Sequence, residues 1–179
     1  MKMHVFGASG SGTTTLGKYL SEKLNCPYFD SDDYYWEAST PPFTHRRNPD
    51  ERNARLANAL APHPDWILGG SIVGWKDWLP AFDLAVFLWL PSNVRTDRLE
   101  KREYERYGEV IRSDPERRRQ YEEFIEWAAG YDDNTARGRT LAVHENWLGN
   151  LPCPVPELRG DLSVERRAEI VLERMEKIG

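Results

Sequence analysis

Residues Gly7-Ala8-Ser9-Gly10-Ser11-Gly12-Thr13-Thr14 nearly spell the phosphate-cradling pattern G-x-x-x-x-G-K-[ST]. An apolar run, Met3-His4-Val5-Phe6, precedes them, and Leu16-Gly17-Lys18-Tyr19-Leu20 follows as the opening turns of a helix. Strand, glycine loop, helix is the order in which the pattern binds phosphate. Glycines let the backbone curl until successive N–H groups point inward beside the positive end of the helix. Gly7, Ser9, Gly10, Ser11, Gly12, Thr13, Thr14 and Thr15 are therefore the expected contacts of ATP. Thr14 stands where the pattern's hydroxyl coordinates magnesium, and capping the helix is its alternative use. Thr13 occupies the lysine position. A charged hydrogen bond contributes about 1.5–3 kcal/mol, so the loop needs a cation from elsewhere. Lys18 is a poor one, because five residues along a helix it points about 140° away.

The 179 residues suffice for one domain with a substantial core. Hydrophobic residues at 40% and charged residues at 30% are ordinary for a soluble globular protein. A net charge of −5 argues against a nucleic-acid binder, which carries a basic surplus. Cys26 and Cys153 each adjoin a proline without metal-ligand spacing. They read as buried free thiols in a reducing cytoplasm. The longest apolar run, Leu84 to Leu90, is far too short to span a bilayer. The glycine loop starts at residue 7, too early to leave space for a leader. A cytoplasmic location without a membrane partner is expected, and oligomeric state leaves no trace.

Candidate strands Lys2–Phe6, Pro27–Asp30, Trp66–Leu68, Leu84–Leu90 and Val155–Leu158 alternate with helical patterns. The pattern predicts an α/β fold, a five-stranded parallel sheet with helices on both faces. Asp50 to Leu60 reads as a helix opened by Asn48-Pro49. A last helix starts at the cap Ser163, with Val164, Ala168, Val171, Met175 and Ile178 on its core face. From Ser92 to about Gly149 the chain is nearly all helical, broken near Gly108, Ser113-Asp114-Pro115 and Gly130 to Gly138. Such an insertion is expected to form a lid over the loop, a plain helical layer being the alternative. Within it, Tyr121, Phe124, Ile125 and Ala128 read as a core stripe.

Phe29-Asp30-Ser31-Asp32-Asp33-Tyr34-Tyr35-Trp36 ends the second strand, where ligands of open parallel sheets lie. The spacing of Asp30 and Asp32 suits one carboxylate on magnesium's water shell and the other on an acceptor hydroxyl as general base. Asp33 belongs to the same acidic turn. The acceptor segment is expected at about residues 31–62, with Arg46, Arg47, Arg52 and Arg55 available to an acceptor anion. Leu68-Gly69-Gly70-Ser71 ends the third strand, and paired glycines there admit a ligand close to the backbone, an ordinary tight turn being the alternative. Trp75, Lys76 and Trp78 in the following loop are ambiguous. Arg95, Arg98 and Arg102 fall on one helical face with few acids at helical spacing, a face that suits a polyphosphate. Arg106 is a further candidate with acidic neighbours in Glu103 and Glu109, and Arg117-Arg118-Arg119 reads as a solvated face, a lid arginine within it being the alternative.

Together these four pieces resemble the adenylate-kinase and shikimate-kinase branch of the phosphate-loop kinases. Phe29-Asp30-Ser31-Asp32 looks like the F-D-[ST]-D of shikimate kinases, which implies Asp30 on magnesium's water shell and Asp32 activating the acceptor. Gly69-Gly70 resembles that branch's glycine turn at the acceptor, and Asp32-Asp33-Tyr34-Tyr35 is similar to a stretch of nucleoside kinases. The ending G-S-G-T-T-T is similar to the loop of some archaeal-type cytidylate kinases. By position, Arg159-Gly160-Asp161-Leu162 falls where such kinases hold adenine. The acidic metal residue that adenylate kinases carry after the third strand is replaced by Gly69-Gly70-Ser71. The resemblance implies ATP with magnesium, a small-molecule acceptor such as a nucleotide or nucleoside, and catalytic roles for Asp32, Arg98 and Arg102. A nucleotide-binding regulatory ATPase without efficient transfer is the competing expectation.

Overall fold

In the computed structural model, β1 (Lys2–Gly7) occupies the middle of a five-stranded parallel sheet. It can do so because both of its faces are apolar: Met3 and Val5 are buried on one side and Phe6 on the other. The structure describes residues 1–40, 42–75 and 81–177; Lys76, Trp78 and Ile178 lie outside the described residues. After β1 come α1 (Thr13–Leu24), β2 (Tyr28–Asp30), α2 (Ser31–Tyr35), α3 (Pro49–Leu60), β3 (Trp66–Gly69) and β4 (Leu84–Trp89). The helical stretch follows as α4 (Ser92–Tyr107), α5 (Val110–Ser113), α6 (Pro115–Ala129) and α7 (Leu141–Gly149). β5 (Glu157–Arg159) and α8 (Val164–Glu176) end the fold.

The strand order is β2-β3-β1-β4-β5, all parallel. Parallel strands put every carboxyl end on one edge, so the loop after β1 and the acidic turn after β2 share it. One face packs on α1 and α8 through Leu16, Leu20, Ala168 and Val171. The other packs on α3 and α7 through Leu56, Leu60 and Trp147. Strand and helix boundaries agree with the sequence pattern to within about a residue, except at β5. Pro154 and Pro156 have no N–H to give, so their carbonyls accept from Ala85 and Phe87, and the strand proper starts only at Glu157. Cys26 and Cys153 are free thiols but only half-buried, not buried as expected.

The helical insertion splits in two. Arg95 in α4 is fully buried, donating to the carbonyls of Leu90 and Ala128 and pairing with Asp132 at 2.7 Å. α5 and α6 pack on α4 and on each other. α6 therefore leaves Tyr121, Phe124 and Ile125 half-buried, and only Ala128 behaves as the expected core stripe. α7 instead lies on the sheet: Trp147 packs edge-on to Phe6 and His4. Among the described residues no helix is long and apolar enough to cross a membrane.

Two histidines sit in this second layer. His144 is fully buried, with Ser71 Oγ at 2.9 Å on one ring nitrogen and Tyr131 OH at 2.7 Å on the other. His4 stacks between Phe6 and Phe82 and meets the Leu68 carbonyl through Nδ1. Burial holds both rings neutral, lowering each pKa to about 3. The unfolded chain takes up protons below about pH 6.5, whereas these folded rings refuse them. Stability is therefore full above that pH and declines as pH falls. Denaturant titrations should show a loss of about 2–4 kcal/mol between pH 7 and pH 5. An unchanged midpoint over that window would contradict the buried neutral rings.

Candidate active site

The loop after β1 closes with Ser11 N donating to Ala8 O at 3.1 Å, and α1 begins behind it. Gly10 and Gly12 carry φ of 82° and 93°, a region that penalises any side chain. Gly12 caps α1 with no side-chain hydrogen bond, so neither Thr13 nor Thr14 is spent on capping. The Thr14 hydroxyl instead donates to Asp30 Oδ2 at 3.0 Å. With its proton given to a carboxylate, the oxygen's lone pairs are left for a cation.

Asp30 is bound at three points. Oδ2 also accepts from the Tyr28 hydroxyl at 2.9 Å, and Oδ1 accepts from the Asp32 amide at 3.1 Å, capping α2. Tyr28 reaches Asp30 through a gap left by Gly17 and Gly69, where a Cβ on either would collide with its ring or hydroxyl. Burial and the Asp30 charge push the Tyr28 phenol far above its usual value, so it remains a donor. The glycines after β3 are thus accounted for by neighbours. Gly69 makes room for Tyr28, while Gly70, at φ 90°, lies against Ser31.

Two cavities open on this edge. The larger, about 820 Å3, is lined by Gly10, Gly12, Thr13, Thr14 and Thr15 on one side and by Asp161, Leu162 and Arg167 on the other. The smaller, about 360 Å3, is lined by Ser9, Asp32 and an aromatic wall that includes Trp36, Phe43, Tyr121, Phe124 and Trp127. Arg102 and Arg106 line both. Arg117 and Arg139 face the smaller one. These cations lie over rings: Arg106 on Phe43 at 5.0 Å, Arg117 on Tyr107 at 4.7 Å and Arg139 on Trp127 at 5.8 Å. Asp32 lines the smaller cavity and is exposed over much of its surface. Partial desolvation by the surrounding walls raises its carboxyl pKa, the Arg139 and Arg102 charges oppose the rise, and Asp30 and Asp33 add to it.

The arginine face of α4 divides. Arg95, expected beside a polyphosphate, is a structural residue of the interior. Arg98 bridges Asp161 at 2.6 Å across the mouth of the larger cavity. Arg102 is clasped through Nε and Nη2 by Glu103, which also lies 3.7 Å from Arg106. The helical-spacing test for acids missed Glu103 because a long guanidinium can curl back to its immediate neighbour.

On the acceptor side, Arg46 stacks over Tyr35 and Trp36 at 5.9 and 6.0 Å. Arg47 donates to the carbonyls of Tyr34 and Trp36, Arg52 lies over Trp75 at 3.9 Å, and Arg55 pairs with Glu51. These four, together with Gly7, Ser11, Asp30, Asp33, Gly69 and Gly70, stand outside the lining of both cavities. Arg139 and Arg167 are cations that the sequence expectations left out, whereas Arg106 and Arg117 belong to the groups considered there. A run of arginines in helical pattern carries no sign of which one turns inward.

Residues 4–121 match the model of a family described as an AAA domain. The uncharacterized protein YqaC of Bacillus subtilis (strain 168) is 41% identical over 172 residues, covering 96% of this chain and 95% of that protein. Among solved structures, a shikimate kinase from Bacteroides thetaiotaomicron aligns over 98% of each chain with TM-score 0.58 and 17% identity. A deoxyadenosine kinase from M. mycoides with bound dATP aligns over 98% of this chain and 100% of its own, with TM-score 0.57 and 15% identity. A gluconokinase from Sinorhizobium meliloti 1021 covers 99% of this chain and 92% of its own, with TM-score 0.52 and 14% identity. At such identities the likeness establishes the fold alone, the one these three kinases share.

Gly69→Ala tests the packing that holds Asp30. The added methyl would displace Tyr28 and cost about 1–3 kcal/mol of overpacking, read as a lower thermal midpoint. Tyr28→Phe in the same background should recover part of that loss by removing the colliding oxygen. Equal midpoints for Gly69→Ala and wild type would contradict the geometry.

Proposed function

The chain belongs to this AAA domain family, and on that premise we propose that it is an ATP-dependent phosphotransferase acting on a small molecule, most suitably a nucleotide or nucleoside. One observation carries the reading: Arg102 and Arg106 line both cavities, so a donor in the larger and an acceptor in the smaller would meet at these cations. The larger cavity takes ATP, with its phosphates on the loop from Gly10 to Thr15 and its base toward Asp161 and Leu162. The smaller takes the acceptor. Its aromatic walls suit a flat ring, and Arg117 and Arg139 suit an anionic substituent.

Thr14 and Asp30 fit a magnesium ion carried in with the nucleotide, since the Thr14 lone pairs and the fixed Asp30 carboxylate stand beside the loop. Bound there, the ion would neutralise charge on the outer phosphates. Asp32 orients the acceptor oxygen and takes its proton when that oxygen is a hydroxyl. Arg102 and Arg106 leave Glu103 for the transferring phosphoryl group, whose charge is greater and more concentrated than one carboxylate's. Arg98, held by Asp161, stands at the donor side. The helices from the second half of α4 through α6 act as the lid, and closing them excludes water that would otherwise hydrolyse ATP.

A second reading, a nucleotide-binding regulator without efficient transfer, draws on Thr13 and on the neutralising clasp of Glu103. Calorimetry with product analysis separates the two. A panel of nucleoside monophosphates, nucleosides and polyols with ATP and magnesium should yield a phosphorylated product. With a hydroxyl acceptor, Asp32→Asn should lower kcat by about 10²–10⁴-fold while leaving ATP affinity near wild type. Tight ATP binding with no product from any acceptor would favour the regulator. With a hydroxyl acceptor, the raised Asp32 carboxyl makes the base protonate early, so kcat should fall on acidification at a pH above the ordinary carboxylate range. An acid limb at or below that range would remove Asp32 as the base.

A further inference from the structure

Arg167 lies on α8 next to residues of its apolar core face, and only 4% of its surface is exposed. Its Nη1 donates to the Ser11 carbonyl at 2.9 Å and its Nη2 to the Gly160 carbonyl at 3.1 Å. Both acceptors are neutral. Among the described residues Arg167 forms no ion pair, and its buried Nε has no hydrogen-bond partner. The nearby carboxylate, Asp161, is taken by Arg98. Burial and the Arg98 charge work against the Arg167 cation, and the Asp161 charge offsets only part of this. A guanidinium has five N–H donors, and two are used. Burying a charge without a counter-ion is costly, and proteins retain such a charge where a ligand supplies the opposite sign.

The location says which ligand. Arg167 lines the larger cavity together with Gly12 and Thr13, and Nη1 is 3.0 Å from where a Gly12 side chain would start. The loop lacks a lysine at the adjacent residue, so the missing positive charge and the surplus one occupy the same few ångströms. We propose that Arg167 supplies the cation absent at Thr13, so that the phosphates of a bound nucleoside triphosphate are its counter-ion. It does so from behind the loop, on the C-terminal helix, and not from the lid. The same side chain ties Ser11 in the phosphate loop to Gly160 in the loop after β5. One residue thus joins the two walls of the cavity, and filling the cavity with phosphate supplies the opposite charge that the protein does not.

This inference rests on the proposal that the larger cavity holds ATP, and the test keeps the two apart. Isothermal titration with ATP and magnesium, without acceptor, would compare wild type, Arg167→Gln, Thr13→Lys and the double variant, alongside thermal midpoints in the absence of nucleotide. Arg167→Gln should weaken ATP binding by about 10- to 100-fold. Thr13→Lys should restore most of that affinity in the double variant, yet add less than about threefold to wild type, whose charge is already supplied. A purely structural Arg167 would lower the midpoint without a loss that a lysine elsewhere can repair. Affinity unchanged in Arg167→Gln, or a loss that Thr13→Lys leaves untouched, overturns the inference. If Arg167→Gln does not fold, Thr13→Lys in wild type still decides: a gain beyond about 30-fold means the site was short of a cation after all. Wild type that fails to bind ATP at millimolar concentration overturns the kinase reading, and this inference with it.

Discussion

Asp30 holds the candidate site together. One carboxylate ties the first turn of α1 to the first turn of α2, because Oδ2 accepts from Thr14 and Tyr28 while Oδ1 caps the helix carrying Asp32. β2 is only three residues long and would be a weak anchor alone. Tyr28 reinforces it by wedging between α1 and β3, in space that exists only because residues 17 and 69 are glycine. The distance between the loop and the acidic turn is thus set by packing within the sheet and does not depend on a ligand. That is preorganisation in the sense that matters for phosphoryl transfer, where positioning and electrostatics are nearly all a protein contributes.

The second constraint is charge. A loop of backbone amides offers partial positive charge, and Thr13 adds none. Full cations approach from two directions. α4 brings Arg98, Arg102 and Arg106, and its own position is fixed by the buried ion pair of Arg95 with Asp132. α8 brings Arg167 from behind the loop. The α4 set is restrained in this structure, Arg98 by Asp161 and Arg102 by Glu103. The exposed Arg98–Asp161 pair lies in solvent, so it holds its arginine weakly. Glu103, nearly buried, grips harder, and its release would accompany filling of the site.

Much of the fold was legible before any coordinates. The glycine loop, the apolar run of β4 and the helix breaks at Gly108, Asp114 and Gly130 follow from backbone rules that operate locally. What stayed hidden depended on tertiary neighbours. Arg95 read as one of a phosphate-facing set and Arg167 drew no notice, because nothing local announces that a guanidinium turns inward. Gly69-Gly70 read as access for a ligand, whereas their space is taken by Tyr28 and Ser31. Tyr121 and Phe124 read as core by periodicity, yet α6 stands off the sheet and turns them to the smaller cavity. Periodicity reports that a face is covered, not what covers it. The roles of Asp30 and Asp32 came from resemblance, and the geometry supplies what resemblance lacked, the hydrogen bonds that fix one and the cavity that receives the other.

The central claim is that donor and acceptor meet where Arg102 and Arg106 border both cavities. The most direct measurement is a crystal structure with a non-hydrolysable ATP analogue, magnesium and a nucleoside monophosphate. The terminal phosphate should lie within hydrogen-bonding distance of Arg102 or Arg106, with Glu103 released and the monophosphate beside Asp32 in the smaller cavity. A nucleotide bound on the loop while both guanidinium groups stay on Glu103, or a monophosphate seated elsewhere, would contradict it.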